Sequence, residues 1–350
     1  GHILLEPQST NTATYSNDFT QGDIFVQSSD PVLSSSVLSA NQSTAPDGTT
    51  TANKLTDNND SGTGSITLNY NSTTFTSGEA STVSMFVKKD TVRYFRIAAS
   101  NLDTTQATSF DLDTGLVNDG TGVMTDYGDG WYRCSATITT TTDLTGQVQF
   151  AISENSDRVG GNLRNGTKSI FLWGLQAEEQ SFPTSYIPTS GSTVSRSADV
   201  CNNSGSSDLI NSTEGVLYAE IAALADDLTF RGIALSDGAT DNRVMLRYRT
   251  NSNQINLFIR ANNTLIVNST KTLTDITNFS KFALKYKSGD IALWVDGQEA
   301  KTHTDTFTLI GLDRLNFDAG NGSDDFYGKC KSVAVFKEAL TDAQLAALTS

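Results

Sequence analysis

The chain has 350 residues, of which 37% are hydrophobic and 18% charged, and its formal net charge at pH 7 is −15. Such acidity argues against binding to the phosphate backbone of nucleic acids, which requires clustered Lys and Arg, but it is compatible with neutral glycans or bound calcium. No apolar run approaches the ~18 residues that a membrane-spanning helix needs, and residues 1–5 lack the basic region and apolar core of a signal peptide. Nucleic acids and membranes are therefore not expected as partners.

The first half of the chain alternates apolar and polar residues over several short segments. In residues 82–88, Val83, Met85 and Val87 share one face, which is the period of a β-strand. Further strand candidates are residues 66–70, 94–99 and 147–152. Together these segments predict a first β-sandwich domain over residues 1–188.

A stretch rich in Ser, Asn and Gly, residues 189–212, is typical of a linker. Beyond it, short alternating segments are again separated by turn residues, and Asp296-Gly297 supplies the positive φ angles of a tight hairpin. These strand candidates are residues 244–249, 255–260, 282–286 and 291–295. They predict a second sandwich over residues 213–350.

The last segment, residues 340–348, predicts a helix. Thr341 is placed as its N-cap and Gln344 at the capping-box position. The whole pattern therefore predicts an all-β chain of two antiparallel β-sandwich (jelly-roll) domains in tandem, followed by a short C-terminal helix.

Two sets of sequence phrases resemble known families. The ordered set LWVDG, FYGKCKSVAVF and ALTDAQLAAL resembles the C-terminal half of concanavalin-A-like, laminin-G-like sandwich domains, which most often bind glycans or proteins. In the first half, LLEPQSTN, YSNDF, APDGTTTANKL, VSMFVKKD, DYGDGWYRCS, LWGLQAEE and FPTSYIPTSG resemble a module of bacteriophage virion and tail-appendage proteins. That second resemblance implies a jelly roll like those of carbohydrate-binding modules.

The residues required for catalysis are largely missing. Only His2 and His303 could serve a nucleophilic triad or a zinc site, and His303 lies in a polar segment typical of the surface. The Glu-x-Asp-x-x-Glu motif of concanavalin-like glucanases, which would flank a sugar bond with carboxylates, is absent. The chain is therefore not expected to be an enzyme.

A calcium site is the one metal centre for which the sequence offers ligands. Residues 318–325 are dense in the carboxylate and amide oxygens that calcium takes, and laminin-G-like domains often carry calcium on loops at one end of the sandwich. The candidate ligands are Asp318, Asn321, Asp324 and Asp325. The alternative is a hydrophilic turn whose Asp and Asn side chains bond their own backbone.

Candidate glycan-binding residues are one aromatic pair and one group of arginines. Trp294 alternates onto the face of Ala292 and Asp296, where its ring is either exposed or covered by a neighbouring strand, and Tyr127 belongs to the DYGDGWYRCS phrase. Trp131 and Trp173 are expected in the core. Arg247, Arg249 and Arg260 alternate with apolar residues on two adjacent strands, either as a basic patch for an anionic glycan or as ordinary solvent-facing residues.

The leading functional hypothesis is a non-catalytic phage virion or tail-appendage protein that binds host-surface or environmental polysaccharide. It would reside on the virion surface, with other virion subunits as partners. One alternative is a purely structural fibre or decoration subunit, for which a homotrimer is the expected assembly. A weaker alternative is a polysaccharide depolymerase.

Overall fold

The computed structural model describes residues 1–21, 24–27, 38–57, 67–100, 107–153 and 166–350. Its regular structure is almost entirely antiparallel β-sheet with one short helix at the C-terminus, which confirms the predicted fold class. The predicted strand over residues 66–70 has its first residue outside the described part. In chain order the elements are β1 (Ile3–Leu5), β2 (Ser9–Asn11), β3 (Ile24–Gln27), β4 (Leu38–Ser43), β5 (Ala52–Thr56), β6 (Thr67–Phe75), β7 (Ala80–Lys89), β8 (Tyr94–Ser100), β9 (Thr108–Asp111), β10 (Leu116–Asp119), β11 (Gly122–Gly128), β12 (Trp131–Thr139), β13 (Leu144–Ser153), β14 (Ser169–Glu178), β15 (Val194–Arg196), β16 (Glu214–Ala223), β17 (Arg231–Ser236), β18 (Arg243–Tyr248), β19 (Gln254–Ala261), β20 (Thr264–Thr272), β21 (Ser280–Lys287), β22 (Ile291–Val295), β23 (Gln298–His303), β24 (Arg314–Asn316), β25 (Gly328–Phe336) and α1 (Asp342–Thr349).

The chain divides into two compact units, which differ in their boundaries from the predicted domains. The N-terminal unit comprises residues 8–197, and the C-terminal unit comprises residues 1–7 together with 198–350. The first seven residues belong with the C-terminal unit because β1 pairs antiparallel with β25, Leu5 lying opposite Gly328. A strand of three residues is too short to show an alternating side-chain pattern, so this pairing could not be predicted from the sequence.

The predicted linker over residues 189–212 is likewise divided between the units. Within the N-terminal unit, Thr189 Oγ1 donates to the Ala13 carbonyl at 2.6 Å and β15 pairs with β2. Within the C-terminal unit, the Asp199 amide donates to the Glu6 carbonyl at 2.9 Å. This segment, although rich in Ser and Asn, is therefore held by hydrogen bonds to the backbone at both of its ends.

The N-terminal unit is a sandwich of two six-stranded sheets, in the strand orders β10-β9-β8-β13-β6-β3 and β11-β12-β7-β14-β5-β4. As predicted, Val83, Met85 and Val87 of β7 face the core between the sheets. The opposite face of β7 is also largely buried, because residues 180–189 cross it. Thr82 Oγ1 on this face of β7, for example, donates to the Gln180 carbonyl at 2.7 Å.

Two tryptophans of this unit are buried, as expected. Trp131 and Trp173 pack with Phe86 in one cluster on the face that residues 180–189 cross. The Trp131 indole N–H donates to the Thr44 carbonyl at 3.0 Å, and that of Trp173 donates to Thr51 Oγ1 at 3.0 Å. A buried indole normally needs such a partner, so both rings are structural.

The C-terminal unit is a second sandwich, made of a six-stranded sheet (β1-β25-β16-β21-β22-β23) and a five-stranded sheet (β20-β19-β18-β17-β24). Its core lies between the sheets and is built by alternate residues of each strand, such as Leu284 and Leu293 from one sheet and Leu246 and Leu257 from the other. The β22–β23 hairpin turns at Asp296-Gly297 with φ angles of 46° and 79°, as the dipeptide predicts.

The helix α1 covers the outer face of the six-stranded sheet. Thr341 is its N-cap and forms the predicted capping box with Gln344, whose backbone N–H donates to Thr341 Oγ1 at 3.4 Å. Leu345 is fully buried against the sheet. The Lys285 ammonium of β21 lies 3.2 Å from the Asp342 carboxylate in the first turn, so an ion pair joins helix and sheet.

Candidate functional site

Four arginines of the β18–β19 pair lie on the outer face of the five-stranded sheet, and we call this group the arginine face: Arg243, Arg247, Arg249 and Arg260. On β18 the side chains of Val244, Leu246 and Tyr248 enter the core, so the alternate residues point outward. Arg249 follows directly after β18 and Arg260 lies on β19, where Ile255, Leu257 and Ile259 face inward. The structure therefore brings Arg247, Arg249 and Arg260 onto one face, and their binding role remains a prediction.

Arg243 was missed from the sequence, although it is the most unusual member of the face. It is 8% exposed, and its one hydrogen bond to the part of the chain that the structure describes runs from Nη1 to the Ala319 carbonyl at 2.8 Å. Its Nε is buried without a partner, and within the described residues no carboxylate lies within ion-pair distance. The signal was present in the period-two spacing of Arg243, Arg247 and Arg249.

The register of the sheet sets two of these charges opposite each other. Arg243 on β18 is paired with Arg260 on β19, and like charges directly opposite destabilise a sheet. Burial lowers the pKa of Arg243, and the neighbouring charges of Arg260 and Arg247 lower it further, against the opposing effect of Asp324. The guanidinium is therefore held where its own charge is disfavoured.

Aromatic rings support two of the guanidinium groups. The Arg247 guanidinium lies 4.1 Å from the centre of the Phe230 ring and 4.9 Å from that of Phe258, and the Arg243 guanidinium lies 4.9 Å from the Phe258 ring. Phe258 is only 5% exposed as a result. Since cations occupy its faces, this ring orients arginines and does not offer a stacking platform for a sugar.

A short amide network orients the arginines at the other end of β18. Arg247 Nε donates to Asn256 Oδ1 at 3.3 Å, and Asn256 Nδ2 donates to Asn268 Oδ1 at 2.5 Å. Arg249 Nη1 donates to the same Asn268 oxygen at 3.3 Å. Asn256 is fully buried, so the network is anchored in the sheet while Asn268 reaches solvent.

The loop formed by residues 318–325, predicted to bind calcium, borders the arginine face. Its Asp324 carboxylate lies 3.4 Å from Arg247 Nη1, and the Asp324 carbonyl accepts the Gly232 amide at 2.9 Å. Together with the hydrogen bond from Arg243 to Ala319, these contacts hold the loop against the sheet. Neither contact was anticipated, because Asp324 and Arg247 are far apart in sequence.

The four predicted calcium ligands each have a separate partner. Asp318 is buried, accepts the Gly320 amide and has its pKa raised by that burial. Asn321 Oδ1 accepts the Ser323 hydroxyl at 2.7 Å, Asp324 pairs with Arg247, and Asp325 accepts the Tyr327 hydroxyl at 3.1 Å. In the described part of the chain no group of three or more His, Cys, Asp or Glu side chains is positioned to hold a metal. Calcium binding remains a prediction, and two of the four side chains make the local bonds of the alternative, the hydrophilic turn.

Of the two alternatives for Trp294, an exposed ring or a covered one, the structure shows the covered one. Trp294 is 9% exposed and lies in a cluster with Tyr218, Ala292 and Leu345, between the six-stranded sheet and α1. The cover is the helix and not the neighbouring strand considered from the sequence. A ring buried in this way cannot stack on a sugar.

Tyr127 is exposed, but it belongs to the N-terminal unit and is separate from the arginine face. Half of its surface is accessible, and its ring packs edge-on against Phe86 at 4.8 Å between centres and 85° between planes. This contact holds the ring at the end of β11, a strand at the edge of its sheet. Its role in glycan binding remains a prediction.

A family model of the concanavalin A-like lectin/glucanases superfamily matches residues 221–346. The match lies within the C-terminal unit and confirms the concanavalin-A-like, laminin-G-like resemblance predicted for this part of the chain. No curated protein matches the chain in sequence. In the described residues no helix has both the length and the apolar character needed to cross a lipid bilayer.

Several solved structures are similar in fold at low sequence identity. The Ruminococcus gnavus IT-sialidase CBM40 is 15% identical, with 40% of this chain and 84% of that chain covered and a TM-score of 0.33. The SAP-like pentraxin from Limulus polyphemus is 12% identical, with 43% and 74% covered and a TM-score of 0.35. Domains LG4-5 of the mouse laminin alpha1 chain are 10% identical, with 77% and 89% covered and a TM-score of 0.29.

Proposed function

We propose that the C-terminal unit binds an acidic glycan through the arginine face. The observation that carries this proposal is Arg243, a guanidinium that is nine-tenths buried, has an unpartnered Nε and forms no ion pair within the described residues. Burying an unpaired charge is costly, and proteins normally pair such a group or use it. An anionic group of a ligand would supply the missing partner.

The chemistry of the face favours carboxylate or sulfate groups as that partner. A guanidinium offers a planar set of donors that matches two oxygens of one anion at once, and it remains charged at all physiological pH values. Four such groups share this surface, and among the described residues Asp324 is the one acid in ion-pair contact with them. In a chain of net charge −15, this local excess of positive charge distinguishes the face and directs it towards anions.

Binding without hydrolysis is the function that this site supports. Hydrolysis of a glycosidic bond needs two carboxylates on either side of the bond. Among the described residues, Asp324 is the single carboxylate in ion-pair contact with the arginine face, and it is occupied by Arg247. The superfamily matched over residues 221–346 is described by both lectins and glucanases, so the absence of a flanking carboxylate pair among the described residues of this face is what favours a binding role.

The test is a glycan array probed with the purified chain, with calcium and again with a chelator. We expect hits confined to acidic glycans, and we expect Arg247→Glu with Arg249→Glu to abolish them, since both changes place negative charge on the ligand-binding surface. Lys301→Glu on β23 is the matched control. It alters the net charge by as much as either arginine change, but it lies on the other sheet. Binding that survives the double charge reversal would contradict the proposal, and binding lost on chelation would assign a role to calcium at the 318–325 loop.

Asp324→Asn is expected to raise the affinity for acidic glycans. The Asp324 carboxylate competes with a ligand anion for Arg247, and an ion pair of this exposure is worth up to about 1 kcal/mol, so its removal should strengthen binding by roughly two- to fivefold. Fluorescence titration with the best acidic glycan from the array measures the change, with Asp325→Asn as a control of equal charge. Weaker binding of Asp324→Asn would instead indicate that this carboxylate contacts the ligand or a metal.

The narrower predictions from the sequence concern the biological setting of this activity. A place on a phage virion, contact with other virion subunits and a homotrimeric assembly depend on the resemblance of the N-terminal phrases alone. They stay predictions, as does the alternative of a purely structural fibre or decoration subunit. No contact described above favours that alternative over glycan binding.

A further inference from the structure

The unsatisfied donors of the arginine face occur at both ends of β18. The Nε groups of Arg243, Arg249 and Arg260 are all buried without a hydrogen-bond partner. Buried donors are almost always paired in folded proteins, and three unpaired ones of the same chemical type on one face require an explanation. An arginine Nε lies on the edge of the guanidinium that, with one Nη, grips an anion with two parallel bonds.

The first group of donors is formed by Arg243 and Arg260. They stand directly opposite each other in the β18–β19 register, so their Cα atoms are about 5 Å apart. Arg260 Nη1 is engaged by Asn263 Oδ1 at 3.1 Å and Arg243 Nη1 by the Ala319 carbonyl at 2.8 Å. Those contacts engage one Nη nitrogen of each guanidinium group, and both buried Nε donors are left without a partner.

The second group is formed by Arg247 and Arg249 at the other end of β18. Both are oriented by the Asn256–Asn268 network, and Arg249 keeps its Nε unpartnered. Burial together with the charge of Arg249 lowers the pKa of Arg247 against the opposing effect of Asp324. This end of the strand therefore also lacks full charge compensation.

The unpartnered donors at the two ends of β18 are too far apart to share one acidic substituent, although the Arg243 and Arg247 guanidinium groups each lie 4.9 Å from the centre of the Phe258 ring. Arg243 and Arg249 are six residues apart along an extended strand, which corresponds to roughly 20 Å between their Cα atoms. Between them lies the Met245–Phe258 cross-strand pair, whose side chains are buried and bear no charge. A carboxylate or sulfate must come within about 3 Å of each donor, so one such group serves one end of the strand.

We propose that the arginine face contains two anion subsites, Arg243 with Arg260 and Arg247 with Arg249, and that its ligand is a polysaccharide carrying acidic groups on more than one sugar residue. This inference rests on the proposed function and narrows its ligand class. Each subsite takes one carboxylate or sulfate ester, and the Met245–Phe258 pair separates the two subsites. Because both subsites act on one chain, their contributions multiply in the affinity.

The experiment uses the full chain and probes that share one backbone: neutral dextran, carboxymethyl dextran, dextran sulfate and, as a singly charged probe, glucose 6-sulfate. Affinities are measured by isothermal titration at several salt concentrations. We expect binding to the charged polymers and no binding to neutral dextran. Glucose 6-sulfate, which fills one subsite, should bind more weakly than the charged polymers by roughly 100-fold or more. The two charged polymers decide between carboxylate and sulfate.

Variants of the two subsites test whether both act. Arg260→Gln and Arg249→Gln should each weaken binding to the charged polymer by roughly tenfold and reduce its dependence on salt, and the double variant should combine the two losses, because each subsite neutralises its own anion. Lys301→Gln controls for net charge. Circular dichroism and the denaturation midpoint of each variant show whether it remains folded.

The outcomes separate this inference from the proposed function. The face holds a single subsite if Arg260→Gln weakens binding and Arg249→Gln does not, or if glucose 6-sulfate binds as tightly as the polymer. Either result would overturn the inference of a ligand with several acidic groups, while the proposal of acidic-glycan binding would stand. If no acidic probe binds, both fail. If single-stranded DNA of matched charge bound with equal affinity, the inference that the ligand is a glycan would be overturned.

Discussion

Replacing Arg243 by methionine is expected to stabilise the ligand-free C-terminal unit while weakening its binding to acidic glycans. The side chain is 8% exposed and faces Arg260 across the sheet with no acid in ion-pair contact among the described residues. Methionine retains most of the volume beside Phe258 and removes the buried charge. Replacing buried charges by well-packed apolar side chains has been neutral or stabilising by about 1–4 kcal/mol in other proteins, and the loss of the hydrogen bond to Ala319 offsets about 1 kcal/mol of that gain.

Urea denaturation of the full chain and titration with an acidic glycan measure the two effects together. Arg231→Met is the matched control, because Arg231 lies 2.5 Å from Asp227 and its removal leaves that acid unpaired, so this variant should lose stability. If Arg243→Met were less stable than the parent protein, Arg243 would be a structural residue, and its unpaired state would not indicate a ligand. The expected opposite signs for stability and affinity are typical of residues kept for binding.

Trp294→Ala is expected to lower the free energy of unfolding of the C-terminal unit by about 3–5 kcal/mol, the usual cost of removing a buried tryptophan. The ring fills the space between the six-stranded sheet and α1, where Leu345 is fully buried beside it. Its loss leaves a cavity and loosens the docking of the helix. Glycan affinity should be unchanged as long as the protein is folded, since the ring lies on the other sheet from the arginine face.

Trp294→Phe keeps this prediction testable if the alanine variant does not fold. The indole N–H of Trp294 is buried without a partner, so phenylalanine removes no hydrogen bond and should cost far less stability than alanine. Chemical denaturation measures the loss, and Tyr127→Ala, which truncates a half-exposed ring, provides a comparison with little expected effect. A folded Trp294→Phe protein that no longer binds glycan would restore the tryptophan as a ligand platform.

Local features of the fold were readable because they depend on neighbouring residues. The alternation of Val83, Met85 and Val87 assigns β7 and its inner face, since successive side chains of a strand point to opposite sides. The Asp296-Gly297 turn and the Thr341–Gln344 capping box follow from backbone angles and hydrogen bonds that span at most three residues. The shared face of Arg247 and Arg249 follows from the same period of two.

The sequence by itself therefore determined the all-β class, the faces of its strands, the C-terminal helix and the presence of arginines on one outer face. Tertiary structure alone decided that β1 completes the sheet of β25, that α1 covers Trp294, and that the 318–325 loop lies against Arg243 and Arg247. These three features join segments dozens to hundreds of residues apart, and no local period encodes such pairings. Because burial and charge compensation arise from those long-range contacts, the unpaired state of Arg243, on which the functional proposal depends, became visible only in the folded chain.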